Sequence, residues 1–321
     1  MNLRYAGWRL AQLVPTCAGI VLVGFLLIHL APGDPVLALA GEHGDAAYYA
    51  FMREKFGLDE PLPVQLATYA GNVARADLGI SYVRGQPVLD VILERLPATV
   101  LLTVTALVLS TVLGVTLGVL AASRPRGARD IAVSTVSLGC YAAPVFLVGQ
   151  LAVLTLALRL GWFPVQGMST ARDDATGWAQ VADVAHHLVL PALVLAAQET
   201  AAVARLGRGA LVDELARDHI RTARAKGLPE RTVLFKHGLR RALLPVVTVI
   251  GGRVGHLVAG VLVVEIVFGW PGIGQLLLNS MQNRDTPIIL GIFLIVAITV
   301  VLANLLTDFA YVWLDPRIRY R

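Results

Sequence analysis

Long apolar runs set the pattern of this chain. A helix needs about 20 apolar residues to cross roughly 30 Å of hydrocarbon. Six stretches meet that requirement: 10–31, 98–121, 131–158, 188–204, 242–267 and 288–313. The second carries no charge from Ala98 to Ala121, whereas the fourth is the shortest and contains Gln198 and Glu199. Pro144 in the third and Pro191 in the fourth predict kinks, which membrane bundles tolerate. Residues 32–97 are too many for a simple loop. Punctuation by Pro32-Gly33-Asp34-Pro35 and Asp59-Glu60-Pro61 predicts small helices lying on a membrane surface there. The expected fold is an all-α integral membrane protein with six transmembrane helices. Its parts are an N-terminus with the first helix (1–31), an external region (32–97) and a five-helix domain (98–321) that includes a polar loop, 205–241.

Composition agrees. Hydrophobic residues make up 56% of the 321 and charged residues 15%, where a soluble domain carries about 25% charge. An ordinary soluble enzyme and a disordered chain are both excluded. With the N-terminus inside, the inside segments hold 18 basic and 6 acidic residues, and the outside segments 8 basic and 13 acidic. That asymmetry predicts cytoplasmic termini and accounts for the net charge of +5 without nucleic acid. Arg4 and Arg9 before an apolar run also suit a signal peptide, with Ala38-Leu39-Ala40 downstream. The first run, of about 22 residues, exceeds the 7–15 of a cleavable signal, which favours a retained anchor. Cys17 and Cys140 both lie inside apolar runs and form neither a disulfide framework nor a zinc site.

Catalytic motifs are missing from the sequence. The dipeptide Gly-Lys does not occur, which removes a Walker phosphate loop, and neither H-E-x-x-H nor G-x-S-x-G is present. The adjacent His186 and His187 cannot share a metal from one helix face, so no metal or bound cofactor is expected. The loop 205–241 is more informative. Gly227 sits where a helix end needs a left-handed residue, and Pro229 can open the next helix. A short helix, a sharp turn and a second helix leading into the fifth span are expected. Such a basic pair suits a cytoplasmic partner, but it also suits a loop that merely satisfies the positive-inside rule and meets anionic headgroups.

Polar residues within the spans form a second set: Glu199, Arg253, His256, Glu265 and Asp308. An ionised group at a helix centre costs about 2.5–3.5 kcal/mol, so each should face the bundle or a watery path. They either line a pathway or pair helix to helix. Gly114 and Gly118, like Gly251 and Gly255, have the spacing of close helix packing. Trp270, Pro271 and Gly272 read as an external turn or re-entrant corner, serving as a gate or as an interfacial anchor. His29, Trp8 and Trp313 read as interfacial anchors.

The run from His219 to Leu228, His-Ile-Arg-Thr-Ala-Arg-Ala-Lys-Gly-Leu, resembles the cytoplasmic loop of binding-protein-dependent ABC importer permeases, specifically the dipeptide/oligopeptide permease family. In the broad superfamily pattern, Glu-Ala-Ala precedes a Gly, and an Ile-x-Leu-Pro follows. Here Arg221, Thr222 and Ala223 stand at the first three positions, and His237, Leu239 and Arg240 stand in the later motif. Only Ala223, Gly227 and Leu239 match, so the peptide-permease form carries the resemblance. It extends along the chain through Leu30-Ala-Pro-Gly-Asp-Pro35, Phe56-Gly-Leu-Asp59, Asp77-Leu-Gly-Ile-Ser81 and Glu94-Arg-Leu-Pro-Ala-Thr99. Pro144-Val-Phe146, Leu160-Gly-Trp-Phe-Pro164, Phe268-Gly-Trp-Pro-Gly-Ile-Gly274 and Trp313-Leu-Asp-Pro-Arg317 continue it.

The resemblance implies a type I ABC importer permease fold in a bacterial cytoplasmic membrane. It implies a second homologous permease, two ATPase subunits or domains that bind ATP and Mg, an external substrate-binding protein and a di- or oligopeptide substrate. This chain would then be a non-catalytic translocation subunit. Arg221, Thr222, Ala223, Arg224, Ala225, Lys226, Gly227, Leu228 and Leu239 would form the element coupled to an ATPase. The same scaffold also serves nickel chelates, haem, glycopeptides and oligosaccharides. A membrane receptor or scaffold is the alternative from another class.

Overall fold

The computed structural model describes residues 3–30, 36, 44–56, 58–81, 83–170, 176–243, 245–246 and 254–314. Among them the chain is helical apart from turns and one isolated antiparallel bridge between Ile80 and Pro87. It divides into two compact units. The first comprises residues 1–99, 271–305 and 320, and the second 100–270, 306–319 and 321.

In the first unit, α1 (Leu3–Leu30) carries Pro15, followed by α2 (Ala46–Phe56) and α3 (Leu62–Ala74). The expected small helices of the 32–97 region are therefore present. Tyr69 of α3 fits against the bare backbone of α1: a Cβ on Gly24 would lie 3.0 Å from its hydroxyl, and its ring meets Phe25 at 6.2 Å between centroids. His29, expected as an interfacial anchor, takes part in this joint. Its Nδ1 bonds the Phe25 carbonyl at 2.9 Å and its Nε2 bonds Gln65 Oε1 at 2.8 Å. Val36, Met52, Tyr48, Tyr49, Leu58, Tyr69 and Leu290 form an apolar cluster.

Helix α4 (Val88–Ala122) passes through the division between units and begins ten residues before the uncharged run that predicted it. Later in the first unit, α11 (Ile273–Gln282) starts with its Ile273 amide donating to Thr99 Oγ1 at 2.9 Å, which satisfies one of the orphan amides of a helix start. The early part of α12 (Thr286–Leu314) approaches α4 at Gly291, where a Cβ would lie 2.6 Å from Val88 Cγ1.

In the second unit, α5 (Ala128–Ala142) and α6 (Val145–Ala152, continued as a π-helix over Val153–Arg159) meet at 103°. The expected third span, 131–158, is thus not one kinked helix. Ala143 is extended and Pro144 restarts the chain at the first turn of the next helix. The carbonyl that this break releases is recovered, because Gln198 Nε2 donates to Ala143 O at 2.7 Å. The fourth expected span is also redrawn. Helix α7 (Trp178–Leu215) is 38 residues long and runs unbroken through Pro191. Gly114 and Gly118 let α4 lie directly on it: a Cβ at Gly114 would fall 2.6 Å from Val203 Cβ, and one at Gly118 would fall 3.0 Å from the Ala204 carbonyl. The spacing of small residues is therefore a packing device here. Gly251 and Gly255 lie outside the described residues or side chains.

Val88–Ala122, Trp178–Leu215 and Thr286–Leu305 are each long and apolar enough to cross a membrane, and the bent pair α5–α6 supplies a further crossing or a re-entrant loop. Of the fifth expected span, 242–267, α10 (Val254–Val267) forms the later part, and residues 247–253 lie outside the described residues.

Candidate functional site

The loop 205–241 folds as the spacing of Gly227 and Pro229 predicts. After α7, α8 (Asp218–Ala225) is a short helix. Glu230–Thr232 (α9) then opens a second helix that continues as a π-helix over Val233–Leu239. Gly227 has φ +74°, the left-handed region, and a Cβ there would meet nothing within 4 Å. The need for glycine is thus conformational, not steric. Two backbone bonds close the helix end: Leu228 N–H to Ala223 O at 3.4 Å and Gly227 N–H to Arg224 O at 2.9 Å. This is the pairing of a Schellman cap, with Pro229 immediately beyond it.

One face of the pair is buried. Ile220, Ala223 and Val233 pack together with Leu215 of α7. A Cβ on Gly238 would lie 3.1 Å from Leu211 Cδ1 and Leu215 Cδ2, so the second helix sits tightly on the end of α7. Leu239 packs half-buried in the cluster of Val119, Ala122, Leu211 and Ala242. The other face is exposed: Arg221, Thr222, Arg224, Ala225, Lys226, Gly227 and Leu228 all reach solvent. The structure therefore separates the nine expected residues into a surface of seven and two packing positions, Ala223 and Leu239. Phe235, half exposed on the second helix, joins the surface. It was missed because the expected motif is read from the first helix.

Charges stiffen the element. Arg224 donates to Glu230 from Nε at 3.1 Å and from Nη2 at 2.6 Å, a two-point bond across the turn. The guanidinium holds the Glu230 carboxyl below its ordinary range. Glu214, 5% exposed at the end of α7, meets two arginines and a histidine. Arg217 Nε stands 3.0 Å away, His219 Nε2 3.1 Å and Arg241 Nη1 3.7 Å. The carboxylate thus ties α7 to the start of α8 and to the residues after the second helix. No motif marks Glu214 in the sequence, because its partners come together only on folding. A cavity of about 620 Å³ beside this cluster has Arg205, Asp213, Glu214, Arg217 and Arg241 in its walls.

The intramembrane candidates are only partly placed. Glu199 on α7 and Glu265 on α10 are both buried. Arg253 lies outside the described residues, and so do the side chains of His256, Asp308, Trp8 and Trp313. Trp270 is completely buried, unlike an interfacial anchor, whose ring would meet headgroups. Its amide donates to the Glu265 carbonyl at 2.9 Å, and the preceding turn is held by Gly167 N–H to Phe268 O, also at 2.9 Å. Pro271 is half-buried and Gly272 buried within the first unit. Among the described residues no group of three or more His, Cys, Asp or Glu could hold a metal ion.

Long apolar helices with a basic surface helix pair define a polytopic membrane protein. Residues 114–320 match the family described as binding-protein-dependent transport system inner membrane component, and residues 3–103 match its N-terminal companion. The chain belongs to this family. It is 41% identical to the probable peptide ABC transporter permease protein y4tP of Sinorhizobium fredii, over 97% of this chain and 98% of that one. It is 40% identical to the oligopeptide transport system permease protein AppB of Bacillus subtilis, with the same coverage. The glutathione transport system permease protein GsiC of Escherichia coli is 38% identical, over 99% of this chain and all of that one.

Proposed function

We propose that this chain is one of two homologous permeases of an ABC importer for di- and oligopeptides, and that the helix pair around Gly227 couples it to an ATPase. The observation that carries the reading is the pair itself. A Schellman-capped turn, braced by Arg224–Glu230 and seated on α7, presents basic side chains with Leu228 and Phe235 to a partner. Near-full-length similarity to proteins named as peptide permeases supports the substrate class.

In this reading ATP and Mg are bound by two ATPase subunits, and an external binding protein delivers the peptide. Closure of the ATPases displaces the rigid pair, which pulls on α7 and α4 and switches access through a two-state bundle. Both termini lie in the cytoplasm and residues 32–97 face outward. Glu199, Arg253, His256 and Glu265 contribute to the pathway, and Trp270, Pro271 and Gly272 to its outer end.

The test is affinity purification in mild detergent with identification of the co-purifying chains, then reconstitution for peptide uptake. A second permease, Walker-bearing ATPases and ATP-driven peptide uptake are expected. Recovery of the chain alone under conditions that preserve a known ABC importer would overturn the reading and favour a receptor or scaffold.

A further inference from the structure

Arg205 of α7 stands just beyond the fourth expected span and is exposed. Its guanidinium carbon lies 5.2 Å from the centre of the Tyr141 ring, on the α5 side of α7. Apart from that ring it meets no carboxylate and no hydrogen-bond acceptor among the described residues. Arg208, one turn further along, differs. Asp130 of α5, 4% exposed, takes both its Nε and its Nη2, the latter at 2.6 Å. One arginine of α7 is thus neutralised by α5, while the other keeps its charge.

Both arginines line a cavity of about 250 Å³ between α5 and α7, with Ser134, Ser137, Leu138 and Tyr141 also in its walls. None of the described residues that line it is a carboxylate. Ser137 is 9% exposed, and its hydroxyl has no hydrogen-bond partner among the described residues. That sets it apart from Ser110, Thr111, Thr116 and Thr155, each of which returns its hydroxyl to a carbonyl of its own helix. A buried hydroxyl without a partner is costly, so this one is poised to meet an acceptor inside the cavity.

Beside this polar wall the surface is apolar. Ile131, Val136 and Leu138 of α5 are all exposed, a face suited to hydrocarbon. Asp130 immediately precedes one expected span, 131–158, and Arg205 immediately follows another, 188–204, so the cavity lies at a membrane boundary. With the cytoplasmic termini proposed above, that boundary is the headgroup layer of the inner leaflet. An arginine in such a place lays its stem along apolar surface and holds its charge at headgroup depth.

We propose that the α5–α7 cavity binds an anionic phospholipid of the inner leaflet. Arg205 and the Ser137 hydroxyl hold the phosphodiester, and the acyl chains run over Leu138 and the exposed face of α5. A guanidinium matches phosphate in two-point geometry, and basic pockets between membrane helices favour anionic headgroups. The apolar face beside the arginine selects a lipid over a soluble anion. The lipid bridges α5 to α7, the helix on which the Gly227 pair is seated. The choice of leaflet rests on the topology in the proposed function.

The experiment uses the complete transporter in nanodiscs of phosphatidylcholine, titrated with phosphatidylglycerol, and reads its thermal midpoint. Phosphatidylglycerol is expected to raise the midpoint of the wild type. Arg205→Gln should weaken the apparent affinity about tenfold, the loss of one charge-assisted contact. Ser137→Ala should weaken it about threefold and keeps the test decisive if Arg205→Gln fails to assemble. Arg129→Gln removes an equal charge from the exposed start of α5, outside the cavity, and should leave the affinity unmoved. Equal losses in the Arg205 and Arg129 variants would reduce the effect to general surface attraction and overturn the site. It is also overturned by no rise at all, by a rise matched with soluble glycerol phosphate, or by release of phosphatidylglycerol with trialanine, which would give the cavity to the substrate. Orientation is read separately, from antibody access to a C-terminal tag in sealed inside-out vesicles. An inaccessible tag sinks the topology and with it the leaflet, whereas an accessible tag without the lipid effect sinks this inference alone.

Discussion

Arg224 and Glu230 face each other across the Gly227 turn, joined through both carboxylate oxygens at 3.1 and 2.6 Å. The bond links the last turn of α8 to the first residue of α9, so it spans the one position where the pair could hinge. Both side chains are largely solvent-exposed, and exposed pairs contribute about 0.2–1 kcal/mol. Its value lies in fixing an angle more than in stability.

Titration of that bond has a defined direction. Arg224 depresses the Glu230 carboxyl, so the contribution is present above the unfolded carboxylate pKa of about 4.3 and lost as pH falls through the folded value. Glu230→Gln should therefore reproduce at neutral pH the weakened coupling that the wild type shows only in acid. The ratio of peptides transported to ATP hydrolysed is the measurement, and an unchanged ratio would remove the brace from the mechanism.

Gly227 provides a sharper lesion. Gly227→Ala must hold φ +74° with a Cβ, at a cost of about 1 kcal/mol, although the space around it is open. Gly227→Asn should cost less, because Asn tolerates the left-handed region. Gly227→Pro cannot adopt this φ and should abolish transport while membrane insertion proceeds. Substrate-stimulated ATP turnover across the three variants should rank Asn above Ala above Pro. Normal turnover in the Pro variant would show that the turn is not the coupling element.

At the α5–α6 break the Ala143 carbonyl is paired by one side-chain donor, Gln198. Gln198→Leu leaves the Ala143 carbonyl without its 2.7 Å partner, and the loss should be about 1–3 kcal/mol. Thermal unfolding in detergent should show a lowered midpoint, while Gln198→Glu, which lacks the amide donor but keeps the shape, should fall similarly. A neutral result for both would mean that another group satisfies the bend.

Close packing of α4 on α7 can be tested by volume. Gly114→Val places its Cβ within 2.6 Å of Val203, forcing the helices apart. Overpacking of this kind costs about 1–3 kcal/mol. Pairing it with Val203→Ala should recover part of the loss, and additive damage in the double variant would deny the contact.

Apolar length, charge asymmetry and the interval from Gly227 to Pro229 are local properties, and they predicted helices, surface pieces and the capped turn without reference to tertiary contacts. Hydrocarbon admits few backbone solutions, so a run of the right length already reads as a helix. Pro144 marked a disturbance, but neither the 103° bend nor the Gln198 amide that pairs the released carbonyl could be read from it. Pro191 offered the same signal and left α7 continuous. Glu214 with Arg217, His219 and Arg241, His29 bridging to Gln65, and the Ser81 hydroxyl bonded to Asp285 were invisible for a common reason. Each is an isolated polar residue whose meaning lies in a partner brought to it by packing, and the energy that fixes it, desolvation against a matched charge or donor, exists only once the helices have come together.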